Sequence, residues 1–110
     1  MDIIITLPAK IEWSDYQKEI EKVTNSDEFM FFKVASFPKN TVVGERCYIV
    51  HRGYIKGWMK IAYIGNHDFV CSTTGKTWEG KFIARNGKFN PIAPIKMKGF
   101  QNWRYYNNDN

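Results

Sequence analysis

The first third of the chain has a hydrophobic pattern that predicts two strands with one amphipathic helix between them. The strands are the β-branched or aromatic runs Asp2–Leu7 and Phe29–Val34. Between them, apolar residues recur at the spacing of one helix face, a pattern that favours packing against a core. Ser14 is a suitable N-cap and Gln17 completes a capping box, so we expect a helix of about ten residues that ends near 24–25.

After residue 45 the pattern changes to short strands separated by turn residues. The strands predicted there are Arg46–Arg52, Tyr54–Ile64, Phe69–Ser72, Trp78–Arg85, Lys88–Ile92 and Phe100–Tyr106. Gly65–Asp68 is expected to form a turn, and Asn-Gly at 86–87 is a strong signal for a two-residue hairpin. Gly57 lies inside an apolar run, where glycine indicates a β-bulge or the close approach of another strand. Pro91 and Pro94 restrict their segment to a sheet edge or a loop.

Many short strands after a single helix predict an α+β, mostly β fold, and within that class a small β-barrel with an N-terminal helix. Partial or full closure of the sheet removes exposed strand edges. A barrel of this size fills its interior with side chains, so a ligand would bind at the mouth or in an outer cleft. The length suits a single domain, residues 1–110, with 106–110 as a flexible tail. Because no basic leader or long apolar run is visible, we expect a cytoplasmic location and no membrane partner.

Charged and aromatic residues are unevenly distributed along the chain. Residues 1–45 hold 5 Lys or Arg and 8 Asp or Glu, a net charge of −3, whereas residues 46–110 hold 11 and 3, a net charge of +8. Of the 18 aromatic residues, 12 also follow residue 45. Interleaved cations and rings are what phosphate neutralisation and base stacking require. The same composition is common in small β proteins of other function, so both interpretations stay open.

The histidines and cysteines raise the question of a metal site. Cys47, His51, His67 and Cys71 form two mirrored Cys/His spacings, and four such ligands would suit zinc. Cys47 and His51 lie in a predicted strand, however, where a four-residue step spans roughly 13 Å. Two ligands of one zinc ion lie far closer together than that. We therefore expect no metal and no other cofactor, and we expect the thiols to be reduced.

Residues Gly44–Val50 (GERCYIV) and Gly53–Gly57 (GYIKG) place a cation and an apolar strand before a glycine hinge. Together with segments 69–85 and 98–106, they resemble the PUA-like superfamily, particularly its ASCH-type domains. The resemblance covers roughly half of the chain and implies a small β-barrel with one or two helices. It also implies recognition of RNA or modified bases, with hydrolase or nuclease activity in some members. The lysine, threonine and glutamate of the amidohydrolase members are not matched here, so no catalytic site is inferred from the resemblance.

Taken together, these features favour a nucleic-acid-binding domain, with RNA favoured over DNA. Cations would neutralise phosphates, and exposed rings would stack on bases, each stacked base contributing about 1–3 kcal/mol. The candidate nucleic-acid-binding residues are Arg46, Arg52, Tyr54, Lys56, Trp58, Lys60, Lys76, Trp78, Arg104 and Tyr105. Strand alternation puts Trp103 and Arg104 on opposite faces, and an unpaired arginine is costly to bury. We therefore expect Trp103 inside and Arg104 at a barrel mouth beside an aromatic ring.

Two other classes of function stay open. One is an enzyme that acts on a nucleoside or nucleotide, such as an ASCH-type hydrolase, with Glu79, Lys76 and a histidine as first suspects. No nucleophile signature surrounds these residues, so the catalytic residues of such an enzyme are not assigned. The other is a small protein-interaction or inhibitor module, which would require a contiguous exposed apolar patch.

Overall fold

The structure is a computed structural model that describes residues 1–26, 28–70, 75 and 77–107, with only the backbone at 69, 70 and 78. In these ranges it contains one helix and six strands. In chain order they are β1 (Ile3–Thr6), α1 (Trp13–Thr24), β2 (Met30–Val34), β3 (Arg46–His51), β4 (Tyr54–Val70), β5 (Thr77–Lys96) and β6 (Trp103–Tyr105). The prediction of a mostly β fold with one N-terminal helix is confirmed. No helix within the described ranges is long and apolar enough to cross a membrane.

The six strands form a single curled sheet, a half-barrel, in the order β2-β5-β4-β3-β1-β6. β1 pairs with β3 in parallel, and the other neighbouring strands are antiparallel. Side chains bring the two edge strands together at one end. The backbone N–H of Ala35, just after β2, donates to the side-chain oxygen of Asn102 (3.0 Å), and the Trp103 indole donates to the carbonyl of Ser36 (2.8 Å). The sheet is therefore partly closed by side-chain bonds between its edges.

Both faces of this sheet bury apolar side chains. Alternate residues of a strand point to opposite faces, so Ile3 and Ile5 of β1 join one core and Ile4 joins the other. The face covered by α1, termed here the helix face, holds the larger core with Tyr16 and Ile20 of the helix. The opposite face, termed the outer face, holds a smaller core: Ile4, Tyr48, Val50 and Ile55. Burial on both faces explains why β1 is an unbroken apolar run.

The helix forms where its apolar spacing predicts, but its N-terminus differs from the prediction. α1 begins at Trp13 with Glu12 as N-cap and without a side-chain cap hydrogen bond. The predicted capping box is therefore wrong, because Ser14 already lies inside the first turn. Asp15 in the first turn and Lys22 in the last turn complement the helix dipole.

β4 and β5 form one long antiparallel ribbon, whereas the sequence predicted several short strands with turns between them. Gly65–Asp68, expected as a turn, pairs with 79–82 of β5. The Asn-Gly dipeptide at 86–87 also lies inside β5, where Gly87 has a φ of +86°. A two-residue step along β4, from Trp58 to Lys60, pairs with a four-residue step along β5, from Asn90 to Asn86. The hairpin predicted at 86–87 is therefore wrong: the left-handed residue sits in a bulge of a continuous strand.

Gly57 lies at a close approach between β4 and β5. A Cβ there would lie 2.5 Å from Cζ of Phe89 and would also overlap the carbonyl of Asn90. The ladder shifts register between Ile55 and Gly57, so Ile55 faces the outer core while Met59 faces the helix-side core. The prediction of a bulge and a close approach at this glycine is confirmed.

The prolines at 91 and 94 lie where the sequence predicted a sheet edge. β2 pairs only with Lys81–Arg85 of β5. Beyond that stretch, β5 pairs on one side only, with β4. Pro91 and Pro94 therefore lie in the edge part of this strand, where a missing N–H interrupts no second ladder.

Candidate nucleic-acid interface

A stacked cation and ring lie on the outer face of β3 and β4. Cζ of Arg46 is 4.1 Å from the centroid of the Trp58 ring. Arg46 also donates from Nη1 to the hydroxyl of Tyr48 (3.3 Å), which lies between them on the same face. Lys60 pairs directly opposite Arg46 on the neighbouring strand. Three of the predicted residues, Arg46, Trp58 and Lys60, are thus brought together on one surface.

The bulge of β5 creates a hollow beside this stack. The hollow has a volume of about 440 Å³ and is lined by Trp58, Lys60, Asn86, Gly87, Lys88 and Asn90. Asn90 lies opposite Trp58, and its amide donates to the carbonyl of Lys88 (2.9 Å). We refer to Arg46, Trp58, Lys60, Asn86, Lys88 and Asn90 together as the Trp58 patch. It combines one indole ring, two amides and three cations around one concavity.

The cations of the Trp58 patch make no ion pairs with carboxylates of the described residues. Within the described ranges, the ion pairs join the N-terminus to Glu45 and Arg52 to Glu12. The Asp2 carboxylate accepts a hydrogen bond from the backbone N–H of Arg46 (2.9 Å) and makes no ion pair with its guanidinium. Like charges directly opposite on paired strands, as at Arg46 and Lys60, are destabilising. The patch therefore concentrates positive charge that attracts polyanions.

Three predicted residues lie elsewhere, near the start of α1. Arg52 donates from Nε to the carbonyl of Ala9 (2.9 Å) and pairs with Glu12 (3.2 Å). Tyr54 is exposed, and Nζ of Lys56 lies 5.9 Å from its ring centroid. Lys56 lies at the same distance from the ring of Trp13, which packs against the helix-side core. These three residues lie apart from the Trp58 patch: Arg52 is in the turn between β3 and β4, and the bulge at 55–57 puts Tyr54 and Lys56 on the face opposite Trp58.

The last strand follows the predicted alternation. Trp103 packs against the helix-side core, whereas Arg104 is exposed with its Cζ 4.5 Å from the ring centroid of Phe100. The expected aromatic neighbour is confirmed, although Arg104 lies on the edge strand of a half-barrel and not at the mouth of a closed one. The ring of Tyr105 is half-buried against the same core, and its hydroxyl accepts a bond from the N–H of Asn40 (3.0 Å). This ring offers little free face for stacking.

Arg104 shares the outer face with the Trp58 patch. One row of residues runs across the sheet: Arg104 of β6, Ile4 of β1, Tyr48 of β3, Trp58 of β4 and Asn90 of β5. Neighbouring strands lie about 4.8 Å apart, so Arg104 is roughly 14 Å from Trp58. Of the remaining predicted residues, Lys76 lies outside the described residues, and Trp78 is described only by its backbone.

The residues considered for catalysis are dispersed. Glu79 lies opposite Asp68 in the outer part of the β4–β5 ribbon. His51 is buried, and its Nε2 donates to the carbonyl of Ile11 (2.7 Å), while the His67 ring stacks on Phe31. Lys76, the third suspect, falls outside the described residues.

Cys47, His51 and His67, three of the residues considered for a metal site, also have separate surroundings. Burial raises the pKa of the Cys47 thiol to about 11, so it is not an activated nucleophile. Cys71, the possible partner of Cys47, lies outside the described residues. Within the described ranges, no group of three or more His, Cys, Asp or Glu side chains is placed to hold a metal ion.

Sequence reasoning missed Asn86, Lys88 and Asn90. It assigned them to a hairpin loop and its return strand, where they would not meet Trp58. The available signal was the polar composition of NGKFN at 86–90, which combines a cation with amides inside a run of strands. Comparison of the chain with protein-family models, with curated proteins and with solved structures gives no match. The resemblance to PUA-like domains therefore stays a prediction from the residues.

Proposed function

We propose that the protein binds single-stranded nucleic acid, with RNA preferred over DNA, through the Trp58 patch. The observation that supports this most directly is the Arg46 guanidinium stacked on Trp58 beside two further cations that form no ion pair within the described part of the chain. A polyanion supplies the missing negative charge, and its release of counterions makes binding dependent on salt.

Each part of the patch matches one component of a nucleotide. Arg46, Lys60 and Lys88 contact phosphates. The indole and the guanidinium plane offer flat surfaces on which a base stacks. The amides of Asn86 and Asn90 line the hollow and supply both donors and acceptors for base edges. These contacts suit RNA and DNA alike; the preference for RNA follows from the PUA-like resemblance.

Binding of a fluorescent single-stranded RNA and the matching DNA at about 50 mM and 200 mM salt tests the proposal. We expect Arg46→Ala to weaken RNA binding at least tenfold and to reduce the salt slope by about one. Arg52→Ala is the matched control, because it removes an arginine from the other cluster with the same change in charge. No binding at low salt, or equal losses in the two variants, contradicts the proposal.

The two alternative functions have less support. For an enzyme, His51 is buried on the carbonyl of Ile11, away from the outer part of the β4–β5 ribbon where Glu79 lies. For an interaction module, the large apolar side chains exposed within the described ranges are spread over several parts of the chain: Met1, Phe29, Val42, Val43, Tyr54, Tyr63 and Ile95. Scattered apolar residues are normal on a protein surface and do not by themselves indicate an interface.

A further inference from the structure

A large cleft opens on the helix face, between α1 and β2. It is separate from the Trp58 patch, which lies on the outer face. Its volume is about 700 Å³. Most of its wall is apolar and includes Leu7, Ile11, Phe29 and Phe32. Arg85 of β5 is part of its lining and lies opposite Met30 of β2. An apolar cleft with a few convergent polar groups is the usual form of a small-molecule site.

Arg85 is the unusual member of this lining. Its side chain is 2% exposed, and its Nη1 donates a hydrogen bond to the hydroxyl of Tyr16 (2.6 Å). Its Nε is buried without any hydrogen-bond partner in the described part of the chain. Buried polar atoms are nearly always satisfied, so an unsatisfied guanidinium nitrogen beside a cleft indicates a missing partner.

The charge of Arg85 makes no direct ion pair with a carboxylate among the described residues. Burial lowers the pKa of Arg85, but Tyr16, Cys47 and the more distant carboxylate of Glu19 outweigh burial and hold that pKa above its ordinary value. Cys47 does not balance this charge, because burial raises the pKa of its thiol to about 11 and keeps it neutral. The ion pairs among the described residues do not include Arg85. A permanent positive charge therefore lies at the base of an apolar cleft.

We propose that this cleft binds a small monocarboxylic acid with an apolar body, its carboxylate on Arg85 and its body along the phenylalanine wall. Nη1 is engaged by Tyr16, which leaves the edge formed by Nε and Nη2. That edge matches a planar carboxylate, which accepts two parallel hydrogen bonds from a guanidinium. Burial of the apolar body against the wall adds a hydrophobic contribution to binding.

The rim of the cleft favours one negative charge over two. Glu19, Lys22 and Glu28 are exposed at the lining, so the rim has one more carboxylate than ammonium group. A phosphate monoester has a charge close to −2 at neutral pH and would be repelled by the two glutamates. A carboxylate has a single charge, which Arg85 balances.

Decanoate is a suitable probe, with 1-decanol as the uncharged analogue and acetate as the head group alone. Calorimetric titration of the full chain is expected to show decanoate binding at least tenfold tighter than decanol and at least tenfold tighter than acetate. Arg85→Gln should weaken decanoate binding at least tenfold. Lys18→Gln is the matched control, since it removes an exposed cation from helix α1 outside the cleft lining, and should change binding less than twofold.

Three results would overturn the proposal: no decanoate binding by the unaltered chain, equal affinity for decanoate and decanol, or unchanged affinity in folded Arg85→Gln. If Arg85→Gln does not fold, Phe29→Ala replaces it, because Phe29 is an exposed part of the wall and should weaken decanoate but not acetate. Arg46→Ala should leave decanoate binding unchanged, so failure of this proposal and failure of RNA binding are distinguishable.

Discussion

Arg46 and Arg85 lie on opposite faces of one sheet, and the comparison between them separates two kinds of charged site. Arg46 is exposed, with its guanidinium 4.1 Å from the Trp58 ring. Arg85 is 2% exposed and bonded to Tyr16. Neither has a carboxylate partner in the described part of the chain. Water and salt screen the first charge far more than the second.

This difference in screening decides what each arginine can recognise. An exposed cation gains little from any one contact, so it acts together with neighbours such as Lys60 and Lys88 along a polyanion. A buried cation without a partner is destabilising by several kcal/mol, and a single well-placed anion offsets much of that. The outer face thus suits a long, repeatedly charged ligand, and the helix face suits a small ligand with one charge.

Gly57→Ala is expected to disturb both faces and to have the largest effect. The new Cβ would overlap Phe89 and the backbone of Asn90 at the point where β4 changes register. We expect a loss of about 3 kcal/mol in the free energy of unfolding, measured by urea denaturation. Gly44→Ala is the control: its φ of +98° adds strain, but nothing lies within 4 Å of the added Cβ. A loss of about 1 kcal/mol is expected there, and equal losses in the two variants would contradict the close approach.

The elements that surround the two arginines differ in how far the sequence predicts them. β1, α1 and β3 follow from local patterns, because their apolar spacing directly reflects which side chains are buried. The β4–β5 ribbon does not, because the turn signals at 65–68 and 86–87 are overridden by pairing with a distant strand. A glycine with positive φ serves a bulge as well as a hairpin, so local chemistry alone does not separate the two.

The pH dependence of stability tests the buried environment of the helix face. Cys47 has a pKa of about 11, above the ordinary 9.0, and burial is the main cause. The folded protein therefore holds this proton more tightly than the unfolded chain. Stability is fully present below pH 9 and falls as the pH rises through 11, by about 3 kcal/mol. Cys47→Ala has a lower baseline stability and should not show this loss between pH 9 and 11. Urea midpoints of both proteins across that range measure the difference. Parallel pH profiles for the two proteins would contradict the prediction.

Trp58→Ala tests the outer face without changing its charge. We expect RNA affinity to fall by about 2 kcal/mol, the contribution of one stacked base. Because a neutral ring releases no counterions, the loss should be the same at about 50 mM and 200 mM salt. Fluorescence anisotropy with the labelled RNA measures both values. A loss that disappears at high salt would mean that Trp58 acts only by positioning Arg46.

The sequence predicts the environment of Arg46 better than that of Arg85. Arg46 begins a strand near other cations. The alternation of cations and aromatic residues in this part of the sequence identifies it as a candidate binding residue. Arg85 ends the run Phe82–Arg85, where a cation after three apolar residues indicates the end of a buried stretch. The burial of Arg85 depends on α1 and β2 packing over it, and no local sequence pattern predicts this packing. The same limit applies to Lys88, which joins the Trp58 patch only because β5 bulges.

The free energy of unfolding of Arg85→Met tests the difference between a buried arginine and an exposed one. Removing a buried charge without a partner should stabilise the fold, and the lost bond to Tyr16 should offset part of that gain. We expect a net increase of about 1 kcal/mol in the free energy of unfolding, together with loss of decanoate binding. Arg52→Met, on the surface, should stay within about 0.5 kcal/mol of the unaltered chain. A loss of stability in Arg85→Met would identify this arginine as a structural support for Tyr16.

Arg104→Ala is expected to have the smallest effect, and it tests the direction in which bound RNA runs from Trp58. Arg104 lies on the row that crosses the sheet from Trp58, roughly 14 Å away at the usual strand spacing. RNA of about 16 nucleotides should reach it, whereas RNA of about 4 nucleotides bound at Trp58 should not. We therefore expect a two- to fivefold loss of affinity, about 0.4–1 kcal/mol, for the long RNA alone. Lys18→Ala, an exposed cation on α1, should affect neither length. If Arg104→Ala weakens both lengths equally, the strand does not run across the sheet from Trp58, and the path along β4 towards Lys60 and Lys88 is favoured instead.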